Sequence, residues 1–282
     1  MPEPIKHPES LSKLPDIAAM APAVSWLLCT HVADGQLRVA LDSCFSQSFS
    51  NFECVVVANG RDAESIAQTV RLWFDNDLRL RVFTTDVMHL TFSLALGLHH
   101  ARAPLIARMD GDDISMPDRL ALQVAFMESH PEVSVLGSDY ELIDLSGTRI
   151  GVVNVPYGDI AIRKAFYCGN PFCHPSVVFR RDVAKAVGGY LGGIYAQDYD
   201  LWSRLAVDRS VVFANLPHVC VRYRVVGVGS ARRARWSYAS VAGSQFRNFV
   251  AGAGWSWAWA AFLSAAKAFI RSRPASQSID LR

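Results

Sequence analysis

Leu105-Ile106-Ala107-Arg108-Met109-Asp110-Gly111-Asp112-Asp113 is the stretch on which the chain is organised. A short, mostly apolar run suits a buried strand, and the glycine and acids behind it suit that strand's exit into a loop. Three carboxylates packed so closely repel one another and need compensating positive charge. A hard divalent cation, Mg²⁺ or Mn²⁺, is the usual partner of such oxygens, and it leaves coordination positions open for phosphate. The competing reading is a solvated acidic turn ahead of a helix that begins near Pro117. An EF-hand loop starting at Asp110 would need Glu at its twelfth position, where Ala121 stands. A phosphatase of the aspartyl-phosphate type also places Asp-x-Asp after a strand. That motif normally follows the first strand, whereas here about a hundred residues of α/β pattern come before it.

Toward the N-terminus, residues 24–30, 52–57 and 80–83 are runs fit for three more strands. Helical patterns lie between them. Leu37, Leu41, Cys44 and Phe45 share a face behind Asp34 as cap, residues 65–74 are amphipathic, and residues 92–101 are helical. Toward the C-terminus, Ser115 is a candidate N-cap and Pro117 a first-turn residue of a helix reaching about residue 130. Residues 133–137 supply a fifth strand. Strands alternating with helices in this way predict an α/β fold with a doubly wound, parallel sheet. Beyond Tyr140 the pattern is mixed: short strands near Ile150 and Val177, a helix over 198–206, and strands over 211–216 and 219–225. Ligands of such sheets bind beyond the carboxyl ends of the strands. Thr30-His31, Asn59-Gly60-Arg61 and the Asp110 cluster all fall there, which predicts one cleft.

Of 282 residues, 51% are hydrophobic and 19% charged, enough to build a core and too apolar for a disordered chain. A net charge of +2 gives no case for nucleic acid as a partner. Six scattered cysteines, without a CxxC pair, predict buried thiols in a reducing compartment. Residues 1–21 carry Pro2, Pro4, Pro8 and Pro15 among charges and predict a loose leader, not a signal peptide. No uninterrupted apolar stretch reaches the roughly 18 residues of a membrane span, so the expected location is the cytoplasm.

Four segments carry a resemblance to a known family. They are residues 24–30 (VSWLLCT) with 37–49 (LRVALDSCFSQSF), residues 106–119 (IARMDGDDISMPDR), residues 170–177 (NPFCHPSV) and residues 196–202 (AQDYDLW). Together they resemble the family 2 glycosyltransferases of the GT-A fold, in their bacterial polysaccharide and lipopolysaccharide branch. The matching patterns there are an opening strand with an SxxxQ(S/T) helix, IARMDADDIxxPxR, NxxxHPSV and EDYDLW. The likeness covers residues 24–229. It implies a GT-A catalytic domain over residues 22–229, with a mostly parallel central sheet and helices on both faces; beyond it, the residue pattern predicts a C-terminal helical tail over 230–282.

The resemblance also implies roles. Asp110 and Asp112 are the DxD pair, Asp112 ligating Mn²⁺ or Mg²⁺ directly, Asp110 lying nearer the ribose and Asp113 supporting. The cation bridges the diphosphate of a nucleotide-diphosphate sugar donor. Asp198 is the general base on an acceptor hydroxyl, giving single displacement with inversion; its bland alternative is a helix N-cap. Thr30, Asn59 and Arg108 belong to the donor site, Arg108 as a partner of donor phosphate or else a surface ion pair. His174, Gln197 and Trp202 lie on the acceptor side, although a lone His and a Trp in such positions also suit a core. The implied activity is that of a metal-dependent inverting hexosyltransferase, acting on a glycan or a lipid-linked acceptor. A catalytically degenerate domain that binds sugars or partner enzymes is the non-enzymatic alternative.

Several positions depart from the family pattern. Ala58-Asn59-Gly60 stands where Asp-Asp-Gly is usual, so Asn59 is left to serve the nucleotide base with its amide. The first strand ends Cys29-Thr30-His31 where the family has Pro-x-Tyr-Asn, and Gln197 stands for Glu. Tyr223-Arg224-Val225-Val226 lacks the usual metal-side His, for which His218 is a nearby substitute. In the tail, Trp255, Trp259, Phe262, Ala266 and Phe269 share one helical face, with Lys267, Arg271 and Arg273 near its end. Such a face suits a helix lying in a membrane interface, here the inner face of a bacterial membrane. A helix docked on the catalytic domain, or a dimer contact, has the same pattern. On the interfacial reading, deletion beyond Gly252 should release the protein from membranes and leave the fold intact.

Overall fold

The computed structural model describes residues 21–225 and 231–270. In chain order its elements are β1 (Val24–Thr30), α1 (Gly35–Phe45), β2 (Phe52–Asn59), α2 (Ala63–Trp73), β3 (Leu80–Thr85), α3 (Leu90–His100) and β4 (Leu105–Met109). Next come β5 (Ile114–Ser115), α4 (Arg119–Ser129), β6 (Val133–Ile143), β7 (Arg149–Val153), α5 (Asp159–Ala165), β8 (Val178–Arg180) and α6 (Arg181–Ala186). The last are α7 (Gln197–Leu205), β9 (Val212–Arg224), α8 (Ala231–Val250) and α9 (Trp255–Ile270).

Side-chain alternation in β1 sets the layers. Val24, Trp26 and Leu28 join a cluster with apolar residues of α1, α2 and α4, while Leu27 and Cys29 join another with residues of α3, α5, α6 and α7. A strand buried on both faces needs helices on both, as a parallel sheet requires. The sheet runs β3-β2-β1-β4-β8-β6-β9-β5, with β7 on β6. The first four strands are mutually parallel, and β8 is antiparallel to both its neighbours. Strand order reverses between β1 and β4, so Thr30 and Asp110 face each other across the switch point where such sheets bind ligands.

Some local expectations fail. Ser115 is not an N-cap: it forms β5, pairs with Val221 and is held by Ser43 of α1 and by Gln47 just beyond that helix, while Asp118 takes the cap position. The two expected C-terminal strands are one, β9. Ser138 pairs with Leu216 and the neighbouring Asp139 with Val219, so Pro217 and His218 bulge out of an otherwise continuous ladder. Cys168 is exposed, whereas the other five cysteines are buried.

α8 lies on α7 and α9 on α8. Trp257 is 4% exposed, belongs to the second core cluster and meets the Tyr167 ring edge-on at 5.1 Å. The expectation that the chain beyond Gly252 can be removed without touching the core is therefore wrong. Among the described residues no helix is long and apolar enough to cross a membrane. Residues 1–20 of the leader read over 1–21, together with Val226, Arg271 and Arg273, lie outside the described residues.

Candidate active site

Two hollows meet at Asp110. The first, of about 470 Å³, opens at the switch point and is lined by Thr30, His31, Asn59, His89, Asp110 and Asp112 among others. The second, of about 330 Å³, is lined by Asp110, Tyr140, His174, Gln197, Asp198 and Tyr223 among others. Strand ends thus bring five of the residues singled out in the sequence to one place, and α7 adds Asp198.

In the first hollow, the Thr30 hydroxyl donates to the Val32 carbonyl at 2.6 Å and shapes the exit of β1. Asn59, 6% exposed at the end of β2, takes no side-chain partner among the described residues, so its amide is available to a ligand. Ala58 is fully buried on the α1–α2 side of the sheet and does not line the hollow. Arg108 is fully buried too, which corrects the reading of a donor-phosphate partner or surface pair. Its guanidinium sits beneath the site, donates to the Leu27 carbonyl at 3.3 Å and forms an ion pair with Asp110.

Asp112 is half-buried and Asp113 is 1% exposed. Burial, then the charge of Asp110, raises the carboxyl of Asp112. The same two causes push Asp113 up to about 8. Asp113 accepts from the Arg224 backbone N–H at 2.7 Å, and its second oxygen, also buried, has no partner among the described residues. Arg224 ties the loop down by donating to the carbonyls of Asp112 and Asp144, each at 2.8 Å. A divalent cation fits this acidic, charge-strained loop through Asp112, with Asp110 beside it. Among the described residues no three His, Cys, Asp or Glu gather into a closed ligand set, so the chain itself would offer such a cation two carboxylates at most. His218, read as a substitute metal ligand, stands exposed in the bulge of β9 and lines neither hollow.

In the second hollow, Asp198 is not an N-cap. The cap position of α7 is Ala196, in a left-handed conformation at φ 56°, and Asp198 lies inside the first turn. Asn170 donates to its carboxylate at 2.6 Å. Burial raises the Asp198 carboxyl above the ordinary carboxylate range, opposed by backbone N–H groups of the helix start and by Asn170, and reinforced by Asp110. His174 is 9% exposed in a 3-10 turn, with Nε2 3.0 Å from the Tyr190 hydroxyl; burial pushes its pKa well down, leaving the ring neutral. Gln197 lines the hollow. Trp202 does not: it is fully buried against Phe172, His174 and Phe179, because the apolar face of α7 turns it into the core.

Sequence reasoning missed the residues that hold these groups. Arg119, fully buried, donates to the Arg108 carbonyl at 2.9 Å and lies over the Trp26 ring. Gln47 accepts from the Leu120 N–H at 3.0 Å and donates to the Met116 carbonyl at 2.8 Å. Both stood in the quoted segments, as the last residue of IARMDGDDISMPDR and the Gln of SCFSQSF. A buried Arg and a buried Gln at fixed offsets from an acidic loop were the available signal.

The family model for glycosyl transferase family 2 matches residues 25–188. The O-antigen biosynthesis glycosyltransferase WbnJ of Escherichia coli is 30% identical over 80% of this chain and 89% of its own length. The chain belongs to glycosyl transferase family 2. The match gives the phosphatase reading no support. Among solved structures, S. aureus TarS 1-349 superposes with a TM-score of 0.66 at 17% identity, over 92% of this chain and 75% of that one. The mannosyltransferase PcManGT of Pyrobaculum calidifontis, in complex with GDP-Man and Mn²⁺, gives 0.62 at 15% identity, over 90% and 75%. At such identities these likenesses show the fold alone, and that fold is GT-A.

Proposed function

We propose that this family 2 glycosyltransferase is an inverting enzyme of bacterial surface polysaccharide synthesis. It moves a sugar from a nucleotide-diphosphate sugar to a hydroxyl of a glycan or lipid-linked acceptor. One observation carries the reading: Asp110 borders both hollows, so a donor held over the DxD loop presents its anomeric carbon toward the hollow of Asp198. The relative's O-antigen role and the GDP-Man and Mn²⁺ bound by the solved neighbour support donor, cation and pathway class.

Residues 22–229 are the catalytic unit on this reading, and residues 230–282 a helical tail that brings it to the inner membrane surface. Asn59 and Thr30 flank the nucleoside, and Asn59 replaces the carboxylate as the group that meets the base. Asp112, with Asp110, holds the cation, which when bound supplies positive charge to the departing nucleoside diphosphate. Arg108 fixes Asp110 from below and is a positioning residue. Asp198 takes the proton of the acceptor hydroxyl as that oxygen attacks the face opposite the leaving group. Its raised pKa makes it a stronger base than an ordinary carboxylate, and Asn170 keeps it oriented. His174, neutral and tied to Tyr190, shapes the acceptor wall together with Gln197.

The test is a pair of substitutions read two ways. Asp198→Asn is expected to lower transfer by about 10²–10⁴-fold and to leave the metal-dependent thermal shift with nucleoside diphosphates in place. Asp112→Ala is expected to abolish that shift. Transfer that survives Asp198→Asn within a fewfold sinks the assignment of the base. A shift equally large without metal sinks that of the cation.

A further inference from the structure

The net charge of +2 hides a strong polarity. Between residues 231 and 273 fall seven of the 28 basic residues and none of the 26 acidic ones, so the rest of the chain carries −5. The same region holds an exposed aromatic face. α9 docks through Trp257, Ala260, Ala261, Ser264 and Ala268, while Trp255 is 80% exposed, Trp259 62% and Phe262 61%. Val250 and Trp236, from α8, are exposed as well. A helix docked for stability alone would turn its larger apolar side chains inward, since burial scales with apolar area. α9 sends small residues and one tryptophan inward and leaves the wider aromatic face in water.

We infer that the outward face of α9 is a docking surface for an anionic lipid bilayer. Its aromatic side chains enter the boundary between headgroups and acyl chains, and the exposed Arg235 and Lys267 meet headgroup phosphates. Charge decides between occupants: a second copy of this chain would bring an equally basic surface against it, and like charges across a two-fold contact repel. The surface is bolted to the catalytic helix. Arg247 and Ser244 of α8 reach Asp200, Gln245 donates to the Tyr199 hydroxyl at 2.8 Å, and Asn248 donates to the Ser203 carbonyl at 2.8 Å. A bilayer under α9 therefore fixes the height and tilt of the hollow that holds Asp198. The inference deepens the membrane role that the proposed function gives the tail, and its consequence for transfer rests on that function; the binding is tested apart from transfer.

The experiment is flotation of the full chain with vesicles of phosphatidylcholine alone and of phosphatidylcholine with phosphatidylglycerol in equal parts, without donor or acceptor. Binding is expected with the anionic vesicles and is weakened by salt. The variant Trp255→Gln/Trp259→Gln/Phe262→Gln is expected to lose that binding by at least about tenfold at an unchanged melting temperature. Arg235→Glu/Lys267→Glu is expected to lose binding to anionic vesicles by at least about tenfold. The inference is overturned if the wild type ignores anionic vesicles or if the aromatic variant still floats with them. It is also overturned if the aromatic face proves to hold a dimer in solution, or binds single-stranded RNA in preference to vesicles. Flotation that fails while transfer to a soluble acceptor persists leaves the transferase reading standing, and the reverse outcome sinks that reading alone.

Discussion

At the scale of single residues, the Asp198–Asn170 pair gives the sharpest consequence. Burial lifts the Asp198 carboxyl, and the Asn170 amide at 2.6 Å opposes the lift by donating to the ionised form. The acid limb of kcat/KM should therefore lie above the ordinary Asp value of about 3.9. Asn170→Ala removes a donor to the anion, so the limb should move to higher pH; a limb that stays put would mean the base lies elsewhere. The sign for stability is opposite. A carboxyl whose folded pKa is raised stabilises the fold fully below its unfolded pKa, and that contribution is lost as pH rises through the folded value. Asp198→Asn should therefore melt at or above the wild-type temperature at pH 7.5, while transfer collapses. A marked fall in melting temperature would show that the carboxylate is structural. Asn170 stood in the quoted NPFCHPSV segment, but nothing in the sequence paired it with a residue 28 positions away.

At the scale of elements, α7 and α8 act as one clamp. Asp200 is 3% exposed and takes Arg204 from its own helix, with Arg247 and Ser244 from α8. Gly192, just before α7, leaves room for it: a Cβ there would stand 2.7 Å from the Asp200 Cβ. Arg247 is nearly half exposed and Arg204 remains after its loss, so Arg247→Ala should cost about 1–2 kcal/mol. Asp200→Ala strands two guanidinium groups and should cost about 3 kcal/mol or more by chemical denaturation. Equal costs would show that Arg247 alone carries the clamp, and no cost for Arg247→Ala that it carries none of it. Much of the element level was legible in the sequence. β1 and β4 fall at the bounds their apolar runs predict, and Asp34 caps α1 as its type suggests, accepting from the Leu37 N–H at 2.9 Å. Elements fixed by partners far along the chain were not legible. β5 is two residues long and exists through β9, β9 continues past Pro217 because β6 pairs on both sides of the bulge, and α5 and α6 are too short for a period. Trp202 belongs with them: its neighbours in sequence are the proposed site residues Gln197 and Asp198, while its neighbours in space are the rings of the core to which its residue type also suited it.

At the scale of the whole molecule, α9 has a buried and an exposed face, and this separates two experiments that the sequence alone makes look equivalent. Its aromatic stripe is legible from spacing, but which stripe faces inward depends on what α8 and the second core cluster offer it. Trp257 is the residue they accept, against Tyr167 and the apolar side chains around it. Truncation after Gly252 removes that tryptophan from the core and uncovers the side of α8 on which α9 lies. Loss of a buried Trp costs about 3–5 kcal/mol, so the truncated chain should melt lower by roughly 10 °C, or aggregate. Such a protein would fail to float with vesicles for a reason unrelated to membranes. Substitution of Trp255, Trp259 and Phe262 leaves the inward face of α9 intact and should not move the melting temperature by more than about 2 °C, the range of exposed positions. Trp257→Ala should do the converse, lowering the melting temperature while the surviving folded protein still binds anionic vesicles. If truncation after Gly252 melts with the wild type, α9 is an appendage and Trp257 contributes nothing to the core that holds α7.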